Sequence, residues 1–347
     1  MDTTDCITPA WLTERLRANG YLLQSEIVAL QIIARHKHHL KLRAVYLGKG
    51  AERVPADLIL KWYEREHPHG WHEGVFYRDI APAMEDPPIV PCYDAVVEGE
   101  FGQTHVLLAD LSATHLPVKA EDREYATEAT FRRALDAYLD FHTHWWDHPR
   151  ISCADMVKPG GLGVSHEAKG AEAIQANERF FLTQALPRWV DAQGDQFPQA
   201  WQGVWEKAVV AWARLYQQRT TAEKALTLIQ GDAHLENVLI PRQSGRAAII
   251  DWEGLTRGLG VWDLSRFLLC FSLAVETRRH FEEVLLRQYY RRVDAAGIAG
   301  YSLEMCRSDY RLCILANIAH VLVWGDPSYM RSTMAAYRDW ACEELLL

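Results

Sequence analysis

Residues Leu228–Glu253 read LIQGDAHLENVLIPRQSGRAAIIDWE, and the predicted fold of the whole chain rests on this stretch. Three short apolar runs in and beside it predict buried strands at Leu226–Ile229, Val238–Ile240 and Ala247–Ile250. Gly231–Asp232 is a turn signal between the first two runs, and a polar segment separates the second from the third. The stretch therefore predicts a strand, a loop and a hairpin, with polar side chains where the strands end.

Three of these polar residues have a spacing that is typical of phosphoryl transfer. Asn237 follows Asp232 by the interval of the kinase loop H-R-D-x-x-x-x-N, and Asp251 follows an apolar strand as the D-F-G aspartate does. A carboxylate can accept a hydroxyl proton, while an amide oxygen and a second carboxylate suit Mg²⁺. Each residue alone is also an ordinary turn or strand-end residue. Together they predict a site with Asp232 as the catalytic residue and with Asn237 and Asp251 as Mg²⁺ ligands.

These motifs carry a resemblance to a known family. GDAHLEN followed by IIDWE resembles the Brenner motif and metal-binding segment of the aminoglycoside phosphotransferase and choline kinase superfamily. Members are small-molecule kinases with a protein-kinase-like fold, and the pattern is most similar to ecdysteroid kinase-like proteins and related bacterial phosphotransferases. The resemblance implies the same roles for Asp232, Asn237 and Asp251. Gln230 stands where the family usually has histidine, and Gln230 and His234 are expected to support the loop around Asp232.

Composition limits the kind of protein. A chain of 347 residues with 49% hydrophobic and 24% charged residues is long enough for two packed lobes. The net charge of -9 disfavours nucleic acid or an anionic membrane as a partner. Seven scattered cysteines without a CxxC pair favour a reducing compartment, and the first residues lack a signal-peptide pattern, so a cytoplasmic protein is predicted. Histidine clusters at 36–39 and 142–148 are interpreted as helix or loop surface rather than as zinc sites.

The first part of the chain predicts a sheet with flanking helices. Thr8–Asn19 has the start and stop signals of a helix, and Ile27–Ala34 with Leu40–Leu47 predicts a hairpin. Asp57–Tyr63 predicts the third strand of the same sheet, and Gly70–Ile80 has helical periodicity. These elements form the predicted N-terminal nucleotide-binding lobe, residues 1–110.

Lys61 lies inside the third predicted strand. An ammonium on an apolar strand needs a partner, because burying it unpaired is costly. Glu73 in the following helix is the predicted partner, with Glu64 and Glu66 as competitors. A strand lysine paired with a helix glutamate positions nucleotide phosphates in kinases, and the family resemblance agrees with this assignment.

Two further elements of the nucleotide site follow from the resemblance. Ala109-Asp110-Leu111, at the end of the predicted strand Gln103–Leu108, matches the superfamily hinge, so backbone groups of Ala109 and Leu111 are expected to bind the adenine edge. The turn Arg35–His39 stands where kinases usually have a glycine-rich loop, and it contains no glycine. The sequence leaves open whether this turn closes over the phosphates.

The rest of the chain predicts mostly helices. Gly260–Leu264 resembles a family element whose aspartate, here Asp263, braces the catalytic loop. The glycine-dense segment Lys158–Gly170 predicts a mobile insertion near the acceptor site. The predicted helices are Arg123–Trp146, Ala171–Val190, Trp201–Thr220, Leu264–Val275, Arg278–Ala295, Ser302–Trp324 and Ser328–Leu346.

The sequence therefore predicts an α+β, bilobal protein-kinase-like fold, with an N-terminal antiparallel sheet lobe and a larger, mostly helical catalytic and acceptor-binding lobe, residues 111–347. The predicted activity is ATP- and Mg²⁺-dependent transfer of phosphate to a hydroxyl of a small molecule, with Trp324 and Tyr329 as the first candidates for acceptor contact. A catalytically silent kinase-like binding protein is the alternative that Gln230 and the glycine-poor turn favour. A protein kinase is disfavoured because no D-F-G to A-P-E activation segment is recognisable. The acceptor class stays open between amine-bearing and apolar alcohols.

Overall fold

The computed structural model describes the chain except for eight short gaps. Glu64, Glu66, most of the segment Lys158–Gly170 and the centre of the turn Arg35–His39 lie outside the described residues. By compactness the chain divides into a first unit, Met1–Leu116 with Pro241–Glu253, and a second unit, Pro117–Ile240 with Gly254–Leu347. The described residues are 6–36, 39–49, 51–63, 70–97, 104–119, 122–152, 170–194 and 197–347.

The first unit contains a five-stranded antiparallel sheet. The predicted hairpin and the predicted third strand are confirmed as members of this sheet. Helix α1 (Pro9–Ala18) precedes the sheet, and Thr8 caps it by accepting a hydrogen bond from the Trp11 amide. The strands are β1 (Gln24–Arg35), β2 (His39–Lys49), β3 (Asp57–Tyr63), β4 (Cys92–Val96) and β5 (Thr104–Ala109). Their spatial order in the sheet is β1-β2-β3-β5-β4.

Alternation along the strands places the core on one face of this sheet. In β3, Leu58 and Leu60 are buried against α1, while Ile59 and Lys61 project from the opposite face. Tyr63 lies two residues after Lys61 and therefore shares its face. The strand thus presents one apolar side to the core and one lysine and one tyrosine side by side on the other face.

Asp94 of β4 attaches α1 to the sheet. Its carboxylate accepts two hydrogen bonds from the Arg15 guanidinium, at 2.6 and 2.8 Å, and one from Asn19 at 2.9 Å. His105 Nε2 lies 2.8 Å from the same carboxylate. Burial alone would raise the pKa of Asp94, but the hydrogen bonds from His105 and Arg15 outweigh it and lower the pKa to about 2.

The segment predicted as a helix over Gly70–Ile80 packs unusually close to the sheet. It consists of α2 (Gly70–Val75), which continues as one π-helical turn, Phe76–Ile80. A Cβ atom at Gly70 would overlap the Tyr63 ring, and one at Gly74 would overlap the Thr104 side chain. Glycine at these two positions therefore allows the close approach that carries the intervening Glu73 into the interior.

The second unit is mostly helical, and several of its predicted helices have bounds different from those expected. The predicted helix Ala171–Val190 is two α-helices joined by a π-helical turn, Phe181–Ala185. The first predicted helix begins at Glu128 rather than at Arg123, because Thr127 caps it. The helix predicted to end at Val275 ends at Cys270, and the last one ends at Asp339, because Ser272 and Ala341 have positive φ angles that interrupt the helix. The helices are α3 (Glu128–Trp145), α4 (Ala171–Phe180), α5 (Leu186–Gln193), α6 (Gln199–Thr220), α7 (Val261–Cys270), α8 (Val275–Ala295), α9 (Leu303–Trp324) and α10 (Pro327–Asp339).

Short strands lie in and beside the stretch Leu228–Glu253. Within the second unit, β7 (Thr227–Ile229) pairs antiparallel with β10 (Thr256–Gly258), so that Ile229 lies opposite Thr256. None of the helices in the described part of the chain has the length and apolarity that crossing a membrane requires. The short strands are β6 (His115–Pro117), β7 (Thr227–Ile229), β8 (Val238–Pro241), β9 (Ala248–Ile249) and β10 (Thr256–Gly258).

Candidate functional site

The first unit brings Lys61, Glu73 and Asp251 together. Lys61 Nζ lies 2.7 Å from Glu73 Oε2 and 3.0 Å from Asp251 Oδ1. Glu73 is fully buried, whereas the side chain of Asp251 is 41% exposed. Lys61 therefore connects an interior carboxylate with one that solvent can reach.

Tyr63 and Glu253 complete this cluster, and the sequence analysis gave neither of them a role. Glu253 Oε1 lies 3.9 Å from Lys61 Nζ and accepts a 2.7 Å hydrogen bond from the Tyr63 hydroxyl, which also contacts Glu73. Strand alternation is the signal that identifies Tyr63, because it lies two residues after Lys61. The position of Glu253, two residues after Asp251 in IIDWE, is the corresponding signal for the carboxylate.

The charges in this cluster reinforce one another. Burial opposes the charge on Lys61, but the carboxylates of Glu73 and Asp251 outweigh it and raise the pKa of the lysine above its ordinary value. For Glu73, burial is the larger effect and raises its pKa, and Lys61 offsets part of that rise. Lys61 therefore stays protonated. The three carboxylates around it carry more negative charge than its single positive charge can neutralise.

The segment that carries Asp251 is held by stacking and by a special backbone conformation. The rings of Trp252 and Phe76 stack with their centroids 3.7 Å apart and their planes 10° apart. Asp251 itself has a φ of 62°, a left-handed conformation that costs energy for residues other than glycine. The fold therefore fixes the direction of the Asp251 carboxylate at some energetic cost, a pattern that is found at functional sites.

The predicted hinge residues lie at the end of β5. The Ala109 amide donates a 2.9 Å hydrogen bond to the Pro91 carbonyl, and the Leu111 carbonyl accepts one from the Thr114 amide. Within the described ranges the Leu111 amide nitrogen has no hydrogen-bond partner. A free N–H at this position agrees with the adenine contact that the family resemblance implies, and the contact itself stays a prediction.

In the second unit, Asp263 and Trp262 of α7 hold the turn before Asp232. The Asp263 carboxylate accepts hydrogen bonds from the amides of Gln230, at 2.8 Å, and Gly231, at 3.0 Å. The Trp262 indole donates a 2.8 Å hydrogen bond to the Gly231 carbonyl. Gly231 has a φ of 85°, and a Cβ atom there would overlap the carbonyl of Gly254, so only glycine fits.

The Asp263 carboxylate is itself held in place by a buried histidine of α3. His142 of α3 is fully buried, with Nε2 3.0 Å from Asp263 Oδ2 and Nδ1 3.2 Å from the Tyr289 hydroxyl. The bracing role predicted for Asp263 therefore has a structural counterpart. His142, which the sequence analysis placed in a surface histidine cluster, lies in the interior instead.

Asn237 has an orientation that suits a metal ligand. It closes a short helical turn after Asp232, and its Nδ2 donates a 3.0 Å hydrogen bond to the Asp232 carbonyl. Because the amide nitrogen is used, the amide oxygen is the atom that remains for a hard cation such as Mg²⁺. In the first unit, ligand atoms of Glu73, Asp251 and Glu253 lie within 4.8 Å of one another; because Glu73 is buried against Lys61, the carboxylates of Asp251 and Glu253 are the ones that suit the same kind of ion. The residues present therefore fit the predicted metal.

Basic groups surround the Asp232 carboxylate. Arg266 of α7 donates a 3.0 Å hydrogen bond from Nη2 to Oδ1, and His234 Nε2 lies 3.6 Å from Oδ2. Burial would raise the pKa of Asp232, but His234, Arg266 and His320 outweigh it, so that the pKa is well below the ordinary value. Asp232 is therefore ionised at neutral pH and is suited to accept a hydrogen bond from a hydroxyl.

Arg266 was not singled out from the sequence, although a signal exists. It follows Asp263 by three residues in the same helix, and residues three apart share a helix face. One residue on this face therefore holds the turn before Asp232 and the other contacts the Asp232 side chain.

The two candidate acceptor residues have different environments. Tyr329 is 2% exposed, and the Arg266 guanidinium lies over its ring at 4.8 Å from the centroid. Trp324, at the end of α9, is 54% exposed. Tyr329 is therefore linked to Asp232 through Arg266, and the roles of both aromatic residues stay predictions.

The chain is similar to known proteins in sequence and in fold. The sequence model described as the phosphotransferase enzyme family (APH) matches residues 50–301 of the chain. No curated protein matches the sequence. Among solved structures, the ethanolamine kinase of Plasmodium vivax is similar, with 10% identity, a TM-score of 0.53 and coverage of 97% of this chain and 84% of that chain.

Two other solved structures were also found, both with low identity. The choline kinase LicA of Streptococcus pneumoniae has 12% identity, a TM-score of 0.46 and coverage of 95% of this chain and 97% of that chain. An aminoglycoside phosphotransferase of Streptomyces rimosus has 14% identity, a TM-score of 0.46 and coverage of 89% and 97%. The predicted fold class and superfamily are confirmed, and the closer likeness to ecdysteroid kinase-like proteins stays a prediction. The chain belongs to the phosphotransferase enzyme family.

Proposed function

We propose that this protein transfers the γ-phosphate of ATP to a hydroxyl group of a small molecule, in a reaction that requires Mg²⁺. The observation that carries the proposal is the cluster in which Lys61 contacts both the buried Glu73 and the partly exposed Asp251. A permanently charged lysine beside a solvent-accessible carboxylate offers one group to phosphate oxygens and one to the metal that accompanies them. Membership of the phosphotransferase enzyme family supports phosphate transfer in general.

In this proposal the first unit binds the nucleotide. Lys61 binds phosphate oxygens, and Glu73 holds the lysine in place from the interior. The backbone of Ala109 and Leu111 binds the adenine edge. Mg²⁺, when bound, neutralises charge on the phosphate oxygens and orients them for transfer. Asp251 and Asn237 are its proposed ligands.

Asp232 is the proposed catalytic residue. The acceptor hydroxyl donates a hydrogen bond to its carboxylate, which directs the oxygen lone pair toward the γ-phosphorus. The bond between the γ-phosphorus and the oxygen that bridges to the β-phosphate breaks, a bond from phosphorus to the acceptor oxygen forms, and the hydroxyl proton passes to Asp232. Because the pKa of Asp232 is low, the residue acts mainly by orienting the hydroxyl and receives the proton late.

Calorimetric titration with ATP, with and without Mg²⁺, tests the nucleotide part of the proposal. We expect the wild type to bind ATP more tightly with Mg²⁺, and Asp251→Ala to lose this difference, since the metal ligand is gone. Asp86→Ala is the matched control, because Asp86 is an exposed aspartate of the same unit that pairs with Arg246. No binding of ATP with Mg²⁺ to the wild type would contradict the proposal, and an unchanged Mg²⁺ effect in Asp251→Ala would remove Asp251 from the site.

Phosphate transfer is tested by a screen. Alcohols are first ranked by thermal shift in the presence of Mg²⁺ and a non-hydrolysable ATP analogue, and the best are then incubated with ATP and analysed for a phosphorylated product. A catalytically silent binding protein, which is the alternative function, would bind ATP and alcohols without forming product. Asp232→Asn separates enzymatic product from background reaction, since it should remove the former only.

A further inference from the structure

Arg266 is fixed in the interior beside the proposed catalytic residue. It is 7% exposed, and Nη2 donates its hydrogen bond to Asp232 Oδ1 at 3.0 Å. The Tyr329 ring lies against the guanidinium, and the Tyr329 hydroxyl in turn donates a hydrogen bond to Asn317 of α9. The guanidinium is therefore held on one side by a carboxylate and on one face by a ring that is itself anchored.

Two nitrogens of this guanidinium have no acceptor in the part of the chain that the structure describes. Nε and Nη1 of Arg266 are buried and make no hydrogen bond to any described residue, although the Tyr329 side chain lies close to the guanidinium. A buried charged donor without a partner is costly, so native proteins usually supply an acceptor. Since Asp232 uses one donor only, the remaining N–H groups can donate hydrogen bonds to a ligand that lies beside the Asp232 carboxylate.

The sign of the surrounding charge restricts what that ligand can be. Arg266 is paired with the Asp232 carboxylate, and the other groups that influence this carboxylate, His234 and His320, are also basic, so that basic groups outnumber this one carboxylate. An ammonium placed near the guanidinium would be repelled at close range, where little water is present to screen the charges. An oxygen anion at the same place would accept charge-assisted hydrogen bonds, which are the strong ones.

We propose that Arg266 determines the specificity of the acceptor by binding an oxyanion, a carboxylate, phosphate or sulfate group, that the acceptor carries near the hydroxyl to be phosphorylated. This inference rests on the proposed function, because it assigns the charge of the acceptor to the same site. It separates this protein from phosphotransferases that act on amine-bearing alcohols. Asp232 keeps its role in orienting the hydroxyl, and Arg266 binds the neighbouring group.

Sulfate is a suitable first probe, since it binds without turnover. Titrations at constant ionic strength, with chloride replaced by sulfate, compare the wild type with Arg266→Gln and Arg266→Lys. We expect Arg266→Gln to weaken sulfate binding by at least about tenfold, as the loss of a charged donor does. Arg266→Lys keeps the charge, so its sulfate affinity is expected to lie between those of the wild type and Arg266→Gln. It provides a second measurement if the glutamine variant does not fold. Arg287→Gln is the control, because Arg287 is an exposed arginine of the same unit.

Three small alcohols with one carbon skeleton then test the charge of the acceptor. Glycerate carries a carboxylate, glycerol is neutral, and 3-amino-1,2-propanediol carries an ammonium. We expect the wild type to bind them in that order of decreasing affinity, and Arg266→Gln to lose the preference for glycerate. Equal sulfate binding by wild type and Arg266→Gln, or a wild type that does not prefer glycerate, overturns the inference.

The two proposals fail in different ways. If ATP binds with Mg²⁺ through Asp251 but anion binding does not depend on Arg266, only the acceptor charge is wrong. If anions bind through Arg266 but ATP does not bind, the anion site stands and the proposed phosphotransferase function falls.

Discussion

Replacement of Lys61 by methionine tests the charge balance of the Lys61 cluster. Methionine keeps much of the length of the side chain and removes the ammonium that lies 2.7 Å from the fully buried Glu73. Breaking a buried ion pair by removing one partner costs about 3–5 kcal/mol, because the remaining charge is left without compensation. Glu73 can avoid part of this cost by taking up a proton. For a carboxyl with an ordinary pKa of 4.5, protonation at pH 7 costs about 3.4 kcal/mol, which limits the expected loss to about 3 kcal/mol.

The stability of Lys61→Met is expected to depend on pH in a definite direction. In Lys61→Met, the folded state holds a protonated Glu73 while the unfolded state holds an ionised one, so the folded state binds more protons. The free energy of unfolding of the variant therefore rises as pH falls, by about 1.4 kcal/mol per pH unit, until the ordinary pKa of 4.5 is reached. The difference between wild type and variant should then shrink between pH 7 and pH 5.

Denaturant unfolding at pH 5, 6 and 7 measures this difference directly. Arg43→Met is the matched control, since Arg43 lies in the same sheet and pairs with Asp57 at the surface, where loss of the pair should change stability little at every pH. A loss below about 1 kcal/mol for Lys61→Met at pH 7, or a loss that does not change with pH, would refute the reasoning. It would mean that Glu73 does not hold a buried charge that Lys61 compensates.

Four further outcomes are expected. Asp232→Asn should leave ATP binding nearly unchanged while kcat falls by several orders of magnitude, and a variant that keeps more than about a tenth of the wild-type kcat contradicts the assignment. Asp94→Asn should lower the free energy of unfolding by about 2 kcal/mol at neutral pH, since the pKa of Asp94 in the folded state, about 2, is below its ordinary value of 3.8; the loss should disappear as pH falls from 3.8 toward 2 in denaturant titrations. Asp263→Ala should cost about 2–4 kcal/mol in the same assay, because two buried amides lose their acceptor, and a neutral substitution would exclude its bracing role. Tyr329→Phe should raise the KM of the acceptor more than that of ATP, and Trp324→Ala should do the same if it contacts the acceptor; equal effects on both constants would mean that these residues only hold the unit together.

Much of the fold follows from the sequence because its signals are local. The alternation in LILKWY fixes which face of β3 is buried, and it predicted Asp57–Tyr63 with the bounds that the structure has. The ends of helices were less predictable, because Ser272 and Ala341 interrupt them through backbone angles that no side-chain pattern announces. The start at Glu128 was missed although Thr127 is a good capping residue, because the preceding residues continue the apolar pattern.

The candidate site was predictable only where spacing or resemblance identified a residue. Lys61 and Glu73 were paired on the argument that a strand ammonium needs a carboxylate, and the structure places them in contact. Arg266 was missed, because its contact with Asp232 joins residues 34 positions apart and depends on how α7 packs. His142 was interpreted as surface for the same reason, since its partner Asp263 lies 121 positions away.

If Asp251 has the proposed role, its left-handed backbone places stability and activity in opposition at one position. Glycine there would lose the carboxylate but relieve the backbone, whereas alanine would lose the carboxylate and keep the strain, a difference of about 1 kcal/mol. Because three carboxylates share the single ammonium of Lys61, losing one of them also reduces their mutual repulsion. Laboratory evolution for heat resistance alone would therefore tend to replace Asp251 by glycine, and evolution for phosphate transfer would restore the aspartate.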